Sequence, residues 1–393
     1  MQLPERFRDL PEYPFPRLRA LLDGIAPGCE PIAMSLGEPR HPPPPFLAEV
    51  LARHVAEHGR YPPNEGHPAL LEAICAWLAR RYGVRRDPDE VFPLNGSREG
   101  LFAAALALVP ESVNGRRPAV LMPNPFYQVY AAAALAAGAE PVHVPATAET
   151  GFLPDFAALP QDILERTAAV YVCSPANPQG AVADAAWWQR LADLAERHDF
   201  RIFADECYSE IWRDAPPPGA LQAQADPERV LAFHSLSKRS SLPGLRSGFA
   251  AGGRRTIAAL RRLRAYGGAP LPLPIQHASA ACWADEAHVE ASRALYQEKY
   301  RIADSILGGF AGYHPPGGGF FLWLHVGDDI AATRRLWAEK GVRVLPGSFL
   351  SRDSHPRLGG GNPGAGHLRI ALVAPAEEVA RGLTAIRDCL MQG

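Results

Sequence analysis

The sequence predicts an α/β protein. A large domain on a mainly parallel sheet, with helices on both faces, is joined to a smaller α+β domain. Three observations lead there. The middle of the chain alternates short apolar runs with helical patterns. Those runs are continuously apolar, as strands covered on both faces are. At 393 residues the chain also exceeds one ordinary core.

The elements follow in order. "PRHPPPPF" (39–46) reads as a rigid extended connector, because proline fixes φ and lacks a donor. "FLAEVLARHVAEHG" and "HPALLEAICAWLARRYG" have helical periodicity and stop at glycine. "PAVLMP" (118–123) is a buried strand, "YQVYAAAALAAG" a helix and "EPVHVPA" a strand. "AAVYVCSP" (168–175), "FRIFADE" (200–206) and "RVLAFHS" (229–235) are further strands, with "AAWWQRLADLAERH" a helix among them. One long helical stretch is expected over about 275–308. After it come "PPGGGFFLWLHV", the glycine-rich loop "LGGGNPGAG", "GHLRIALV" and a helix over about 376–390. The boundaries predicted are 45–280 for the large domain, with 1–44 and 281–393 together forming the small one.

A formal net charge of −2 gives no sign of a polyanionic partner. The pairs Arg254-Arg255 and Arg261-Arg262 read as solvated helix faces. With 47% hydrophobic and 21% charged residues, a soluble globular protein is expected. The six cysteines lack metal-ligand spacing, so no metal and no disulfide framework is predicted, and reduced thiols in a cytoplasm are expected. The N-terminal "MQLPERFRDLPEYPFPRL" has no apolar core of a signal peptide, and no stretch reads as a membrane span.

In open α/β sheets chemistry gathers beyond the carboxyl ends of the strands. Polar residues stand out there. "FHSLSKRSSLPGLRSG" carries Lys238 among Ser235, Ser237, Ser240 and Ser241, with Arg246 eight positions on. A lone loop lysine is ordinarily a surface residue. A catalytic one needs a depressed pKa and a carbonyl to attack. Arg246 is a fixed fork suited to phosphate. Asp205 closes an apolar strand and needs a partner, with Tyr208 three residues on; a helix cap and a core tyrosine are the plain alternative. Asn177 lies in "SPANPQG", which is otherwise an ordinary turn. Ser97 and Arg98 enter a helix in "NGSREG", either as a common cap or as an anion site. Together these pieces describe one ligand with an aldehyde, a phosphate, a ring nitrogen and a phenolic oxygen. Pyridoxal 5'-phosphate has those groups.

With these motifs the chain resembles the class I/II aminotransferases of fold type I over nearly its whole length. "SLSKRSSLPGLRSGF" is similar to the family's cofactor-lysine motif, "SPANPQG" to its Asn-Pro-x-Gly motif and "DECY" to its Asp-x-x-Tyr motif. The resemblance implies a seven-stranded, mainly parallel sheet and pyridoxal 5'-phosphate as cofactor. It implies Lys238, Asp205 and Tyr208 as catalytic residues. Ser97, Arg98, Ser235, Ser237 and Arg246 would serve the phosphate, Asn177 and Tyr208 the phenolic oxygen, and Asp205 the ring nitrogen. Tyr127, in "PNPFYQVY", would stack on the ring where several relatives carry tryptophan. Arg369, in "LRIAL", would grip the substrate α-carboxylate, with Asn177 and Gly37, in "SLGEP", on the substrate side. Tyr61, in "YPPNEGHPALLEAI", would reach the phosphate of a neighbouring subunit, which implies a homodimer.

"LPEYPFPRLRALLDGI", "SLGEPRHPPPPF" and "NGSREGLF" look most like the N-succinyldiaminopimelate aminotransferases of bacterial lysine and peptidoglycan precursor synthesis. Amino transfer between glutamate and an N-succinylated 2-amino-6-oxo acid is therefore expected. Small amino-acid and 2-oxo-acid substrates, rather than nucleic acid or membrane, are the expected partners. "EYPFPRLR" and residues 346–352 are candidates to fold over the site. Aspartate or other amino-acid aminotransferases and a C–S lyase could use the same residues. A transcription regulator would need a DNA-binding extension, and a dehydrogenase would need a glycine fingerprint after the first strand.

Overall fold

A computed structural model describes residues 7, 8, 10 and 12–391. Part of the segment read for a signal peptide, and part of the predicted small domain, lie outside these residues. Twelve strands are present among those described: β1 (Ile32–Ala33), β2 (Val91–Leu94), β3 (Ala119–Asn124), β4 (Glu140–Pro145), β5 (Thr167–Cys173), β6 (Arg201–Asp205), β7 (Val230–Ser235), β8 (Gly248–Ala251), β9 (Phe321–His325), β10 (Val342–Arg343), β11 (Leu345–Pro346) and β12 (His367–Ala371).

Seven of them form the central sheet in the order β2-β8-β7-β6-β5-β3-β4. It is parallel from β7 through β4, and β8 alone runs against its neighbours. β3, β5 and β7 are buried at every position, which explains their unbroken apolar sequence. One face packs on Trp188, Leu191 and Ala195 of the helix Ala185–His198. That helix starts where the Asp184 side chain accepts from the Trp187 amide at 2.6 Å. The other face packs on Leu101, Ala104 and Ala105 of the helix Ser97–Leu108.

A second sheet, β11-β12-β9, is antiparallel, and β1 pairs with β10 in parallel. Ile32 and Met34 share a core with Tyr296, Leu322, Ile370 and Leu383, so a segment near the start of the chain packs with segments near its end.

The stretch expected as one helix over 275–308 is two, Leu273–Ala284 and Ala287–Leu307. Asp285 is extended between them, and its carboxylate accepts from the His288 amide at 3.4 Å. "FLAEVLARHVAEHG" also divides, into Leu47–Arg53 and a 3-10 turn over Val55–Gly59. β2 and β8 escaped the sequence reading because each has only four residues and no alternation.

Candidate active site

The reversed direction of β8 assembles one edge of the sheet. Four elements leave that edge at their carboxyl ends: β2 into Asn95–Ser97, β5 toward Asn177, β6 at Asp205 and β7 into Ser235–Lys238. β8 begins there, so Arg246, just before it, reaches the same edge; Gly248 pairs with both Leu94 and Ser235. Across from this edge, the segment after β1 and strand β12 supply Gly37 and Arg369.

A cavity of about 300 Å³ lies between them. Its walls include Gly37, Ser97, Arg98, Tyr127, Asn177, Asp205, Tyr208, Ser235, Ser237, Lys238, Arg246 and Arg369. Tyr61 does not join them. It is 102% exposed, at the surface of its own chain.

Lys238 sits in a four-residue helix capped by Ser235, whose hydroxyl accepts from the Ser237 amide at 3.1 Å. Its Nζ donates to the Gly37 carbonyl at 2.5 Å. Burial, with Arg369 and Arg246 nearby, lowers its pKa to about 8. Gly37 allows this approach, because a Cβ there would lie 2.4 Å from the Phe321 ring.

Asp205 is buried, and desolvation raises its pKa. Oδ2 accepts from the Tyr130 hydroxyl at 2.6 Å and Oδ1 from the Cys207 amide at 3.3 Å. These neutral donors leave the carboxylate short of a cation, which a protonated ring nitrogen would supply.

Arg369 is buried as well. It donates to the Asn177 side-chain oxygen at 3.2 Å and the Ser35 carbonyl at 2.8 Å, and its carbon lies 4.3 Å from the centre of the Phe321 ring. Among the described residues its Nε has no hydrogen-bond partner, and burial lowers its pKa to about 10. A buried guanidinium with a spare donor is a site for an incoming carboxylate.

Arg246 has left-handed φ (+55°) and donates to the carbonyls of Pro243 and Asn95. Gly96 is required beside it. Its φ is +79°, and a Cβ would come within 2.4 Å of the Arg246 guanidinium.

Arg98 lines the cavity with its side chain engaged by two phenols. Its guanidinium donates to the Tyr127 hydroxyl at 2.8 Å and the Tyr13 hydroxyl at 3.3 Å. Its amide, in the first turn of Ser97–Leu108, remains the group open to an anion.

Tyr130, Cys207, Tyr13, Phe15 and Phe321 also line the cavity and were not singled out from the sequence. Tyr130 could have been found by its i+3 spacing from Tyr127. Tyr13 and Phe15 belong to "EYPFPRLR", the segment expected to fold over the site. Residues 346–352 do not line the cavity; there Phe349 packs under Arg17, 3.9 Å from its ring centre.

Behind Asp205, Glu206 points to the opposite side of the strand. It accepts from the Ala220 amide at 2.8 Å and the Tyr82 hydroxyl at 3.0 Å. Desolvation raises its pKa from 4.5 to about 7. His234 is held neutral by burial, down to about 3, so its 3.7 Å approach to Glu206 is not an ion pair. A folded-state pKa above the unfolded value gives stability that is full below pH 4.5 and lost as pH rises through 7. The span corresponds to about 3 kcal/mol. Glu206→Gln should flatten this part of the urea midpoint's pH dependence between pH 5 and 8. An unchanged slope would show that Glu206 is ionised throughout.

The donor set fits one group: a nucleophilic amine at Lys238, a carboxylate for a cationic ring nitrogen, phenol and amide donors, and serines, an arginine and a helix start for a phosphate. Fold and site together define a pyridoxal 5'-phosphate-dependent enzyme of fold type I. The chain belongs to the aminotransferases of class I and II, whose family model matches residues 30–386. It is similar to an LL-diaminopimelate aminotransferase of Dehalococcoides mccartyi, 34% identical over 99% of both chains. Among solved structures it resembles an aminotransferase from Neisseria meningitidis (TM-score 0.93, 39% identity, 99% of this chain and 100% of that one). It also resembles a probable N-succinyldiaminopimelate aminotransferase from Thermus thermophilus (TM-score 0.84, 28% identity, 96% and 100%). Among the described residues no helix is long and apolar enough to cross a membrane.

Proposed function

We propose that this aminotransferase moves an amino group between L-glutamate/2-oxoglutarate and N-succinyl-2-amino-6-oxopimelate, the partner of N-succinyl-LL-diaminopimelate, in lysine and diaminopimelate synthesis. The convergence of Lys238, Asp205 and Arg369 on one cavity carries the reaction class. The substrate rests on the sequence likeness and the similarity to the Thermus protein. The similarity to LL-diaminopimelate aminotransferases favours a second reading, in which the substrate lacks the succinyl group.

Pyridoxal 5'-phosphate, when bound, supplies an electrophilic carbonyl and an electron-accepting ring. The chain's own groups do the rest. Lys238 holds the cofactor and, with a pKa near 8, takes and returns the proton at the substrate Cα. Asp205 keeps the ring nitrogen protonated, and Tyr130 fixes its carboxylate. Tyr208 and Asn177 hydrogen-bond the phenolic oxygen. Ser97, Arg98, Ser235, Ser237 and Arg246 would hold the phosphate, through side chains or backbone N–H groups, and Tyr127 would lie against the ring. Arg369 orients the α-carboxylate, with Gly37 and Asn177 beside it.

The same proposal divides the chain into a large domain, 45–280, and a small one from 1–44 and 281–393, in a cytoplasmic enzyme. The core shared by Ile32, Met34 and Leu383 supports that division. The exposed Tyr61 supports a homodimer in which it serves the partner's phosphate. Sedimentation should give a dimer; fully active monomers would refute that arrangement.

The substrate test is a glutamate half-reaction. Glutamate should remove the visible band of the lysine-bound cofactor, and the succinylated semialdehyde should restore it best. Preferential restoration by the unsuccinylated acceptor would select the second reading. Restoration only by oxaloacetate or pyruvate would reject both.

A further inference from the structure

His54, Glu57 and His277 meet on the surface away from the cofactor cavity, and none of them lines it. Glu57 accepts on one oxygen from His54 Nδ1 at 2.6 Å and faces His277 Nε2 with the other at 3.4 Å. The two imidazoles are stacked, with centroids 3.7 Å apart and planes 12° from parallel. A third ring, His67, lies 4.5 Å from His277. All four residues are half-buried.

We propose that His54, Glu57 and His277 bind one zinc-like divalent ion. One nitrogen from each ring and one carboxylate oxygen lie within 4.8 Å of one another. Tetrahedral ligands on zinc are roughly 3.3 Å apart, given bonds of about 2.0–2.2 Å. To bring both in-plane lone pairs onto one ion, at least one imidazole must also turn out of the stack. Two imidazoles and one carboxylate are a borderline donor set, suited to zinc, nickel or copper rather than to calcium or magnesium. Three protein ligands leave a fourth position for water.

An ion held by Nδ1 of His54 and Nε2 of His277 would leave the ring protons on Nε2 of His54 and Nδ1 of His277. His67 is not a ligand through Nδ1, which already accepts from the Ala69 amide at 3.3 Å.

The site joins two distant segments. His54 borders and Glu57 lies within the turn Val55–Gly59 that leads to Tyr61, and His277 lies 220 residues beyond Glu57 on the helix Leu273–Ala284. An ion there would pin the Tyr61 segment to that helix.

The test is calorimetric titration of zinc chloride into the cofactor-loaded enzyme. One ion per chain is expected, with affinity reduced at least about 100-fold in both His54→Ala and His277→Ala. Zinc should raise the melting midpoint of the parent and not of those variants. Glu57→Gln, which keeps shape and a hydrogen-bonding end, should also weaken binding if the alanine variants fold poorly. No binding at millimolar zinc would overturn the proposal. So would binding that survives all three changes, as capture by free thiols such as the exposed Cys29 would.

Discussion

Replacing Lys238 with alanine is expected to abolish amino transfer while leaving pyridoxal 5'-phosphate bound without a covalent link. General acid–base catalysis alone is worth about 10²- to 10⁴-fold. The loss should be at the upper end, since no other amine among the cavity-lining residues can replace it. The phosphate and ring contacts do not pass through Lys238, so the cofactor should remain. Borohydride reduction followed by mass measurement should label the parent chain and not the variant. Activity equal to the parent's would remove Lys238 from the mechanism.

Arg369→Ala carries the second large effect. The site for a carboxylate rests on this one buried fork, whose Nε has no hydrogen-bond partner among the described residues. Two charge-assisted hydrogen bonds, worth about 1.5–3 kcal/mol each, amount to about 3–6 kcal/mol. The specificity constant kcat/KM for glutamate should therefore fall about 10²- to 10⁴-fold. Arg369→Lys should recover only part, because an ammonium keeps the charge and loses the planar fork. The visible cofactor band should persist in both, which separates lost carboxylate binding from lost folding. Parent-like kcat/KM in the alanine variant would refute the assignment.

The parallel core was legible because strands buried on both faces must be apolar throughout. β3, β5, β6 and β7 appear within a residue or two of their sequence limits. β2 and β8 were not legible. Four residues are too few for periodicity, and their place is set by pairing with each other and with β7. The break at Asp285 was hidden because helical periodicity continues on both sides of it.

Site residues at strand ends were legible as a constellation, since each has a polar group where an apolar run stops. Tyr130 was not, because it lies inside an alanine-rich helix and looks like a core tyrosine until Asp205 is placed opposite it. The engagement of the Arg98 side chain was not legible for a related reason, since only the fold brings two phenols within its reach. His54, Glu57 and His277 have no spacing signal, because the third member arrives from 220 residues away.

The contacts of Lys238 with Gly37 and of Arg369 with Ser35 span 201 and 334 positions. They set an order of assembly during synthesis. All strands of the central sheet have been made once residue 251 leaves the ribosome, while β12, with Arg369, is still to come. A nascent chain can thus hold the lysine and aspartate edge long before it can hold a substrate carboxylate. Competence arrives with the last strand, so a chain released before residue 369 would fold much of its core and still transfer nothing.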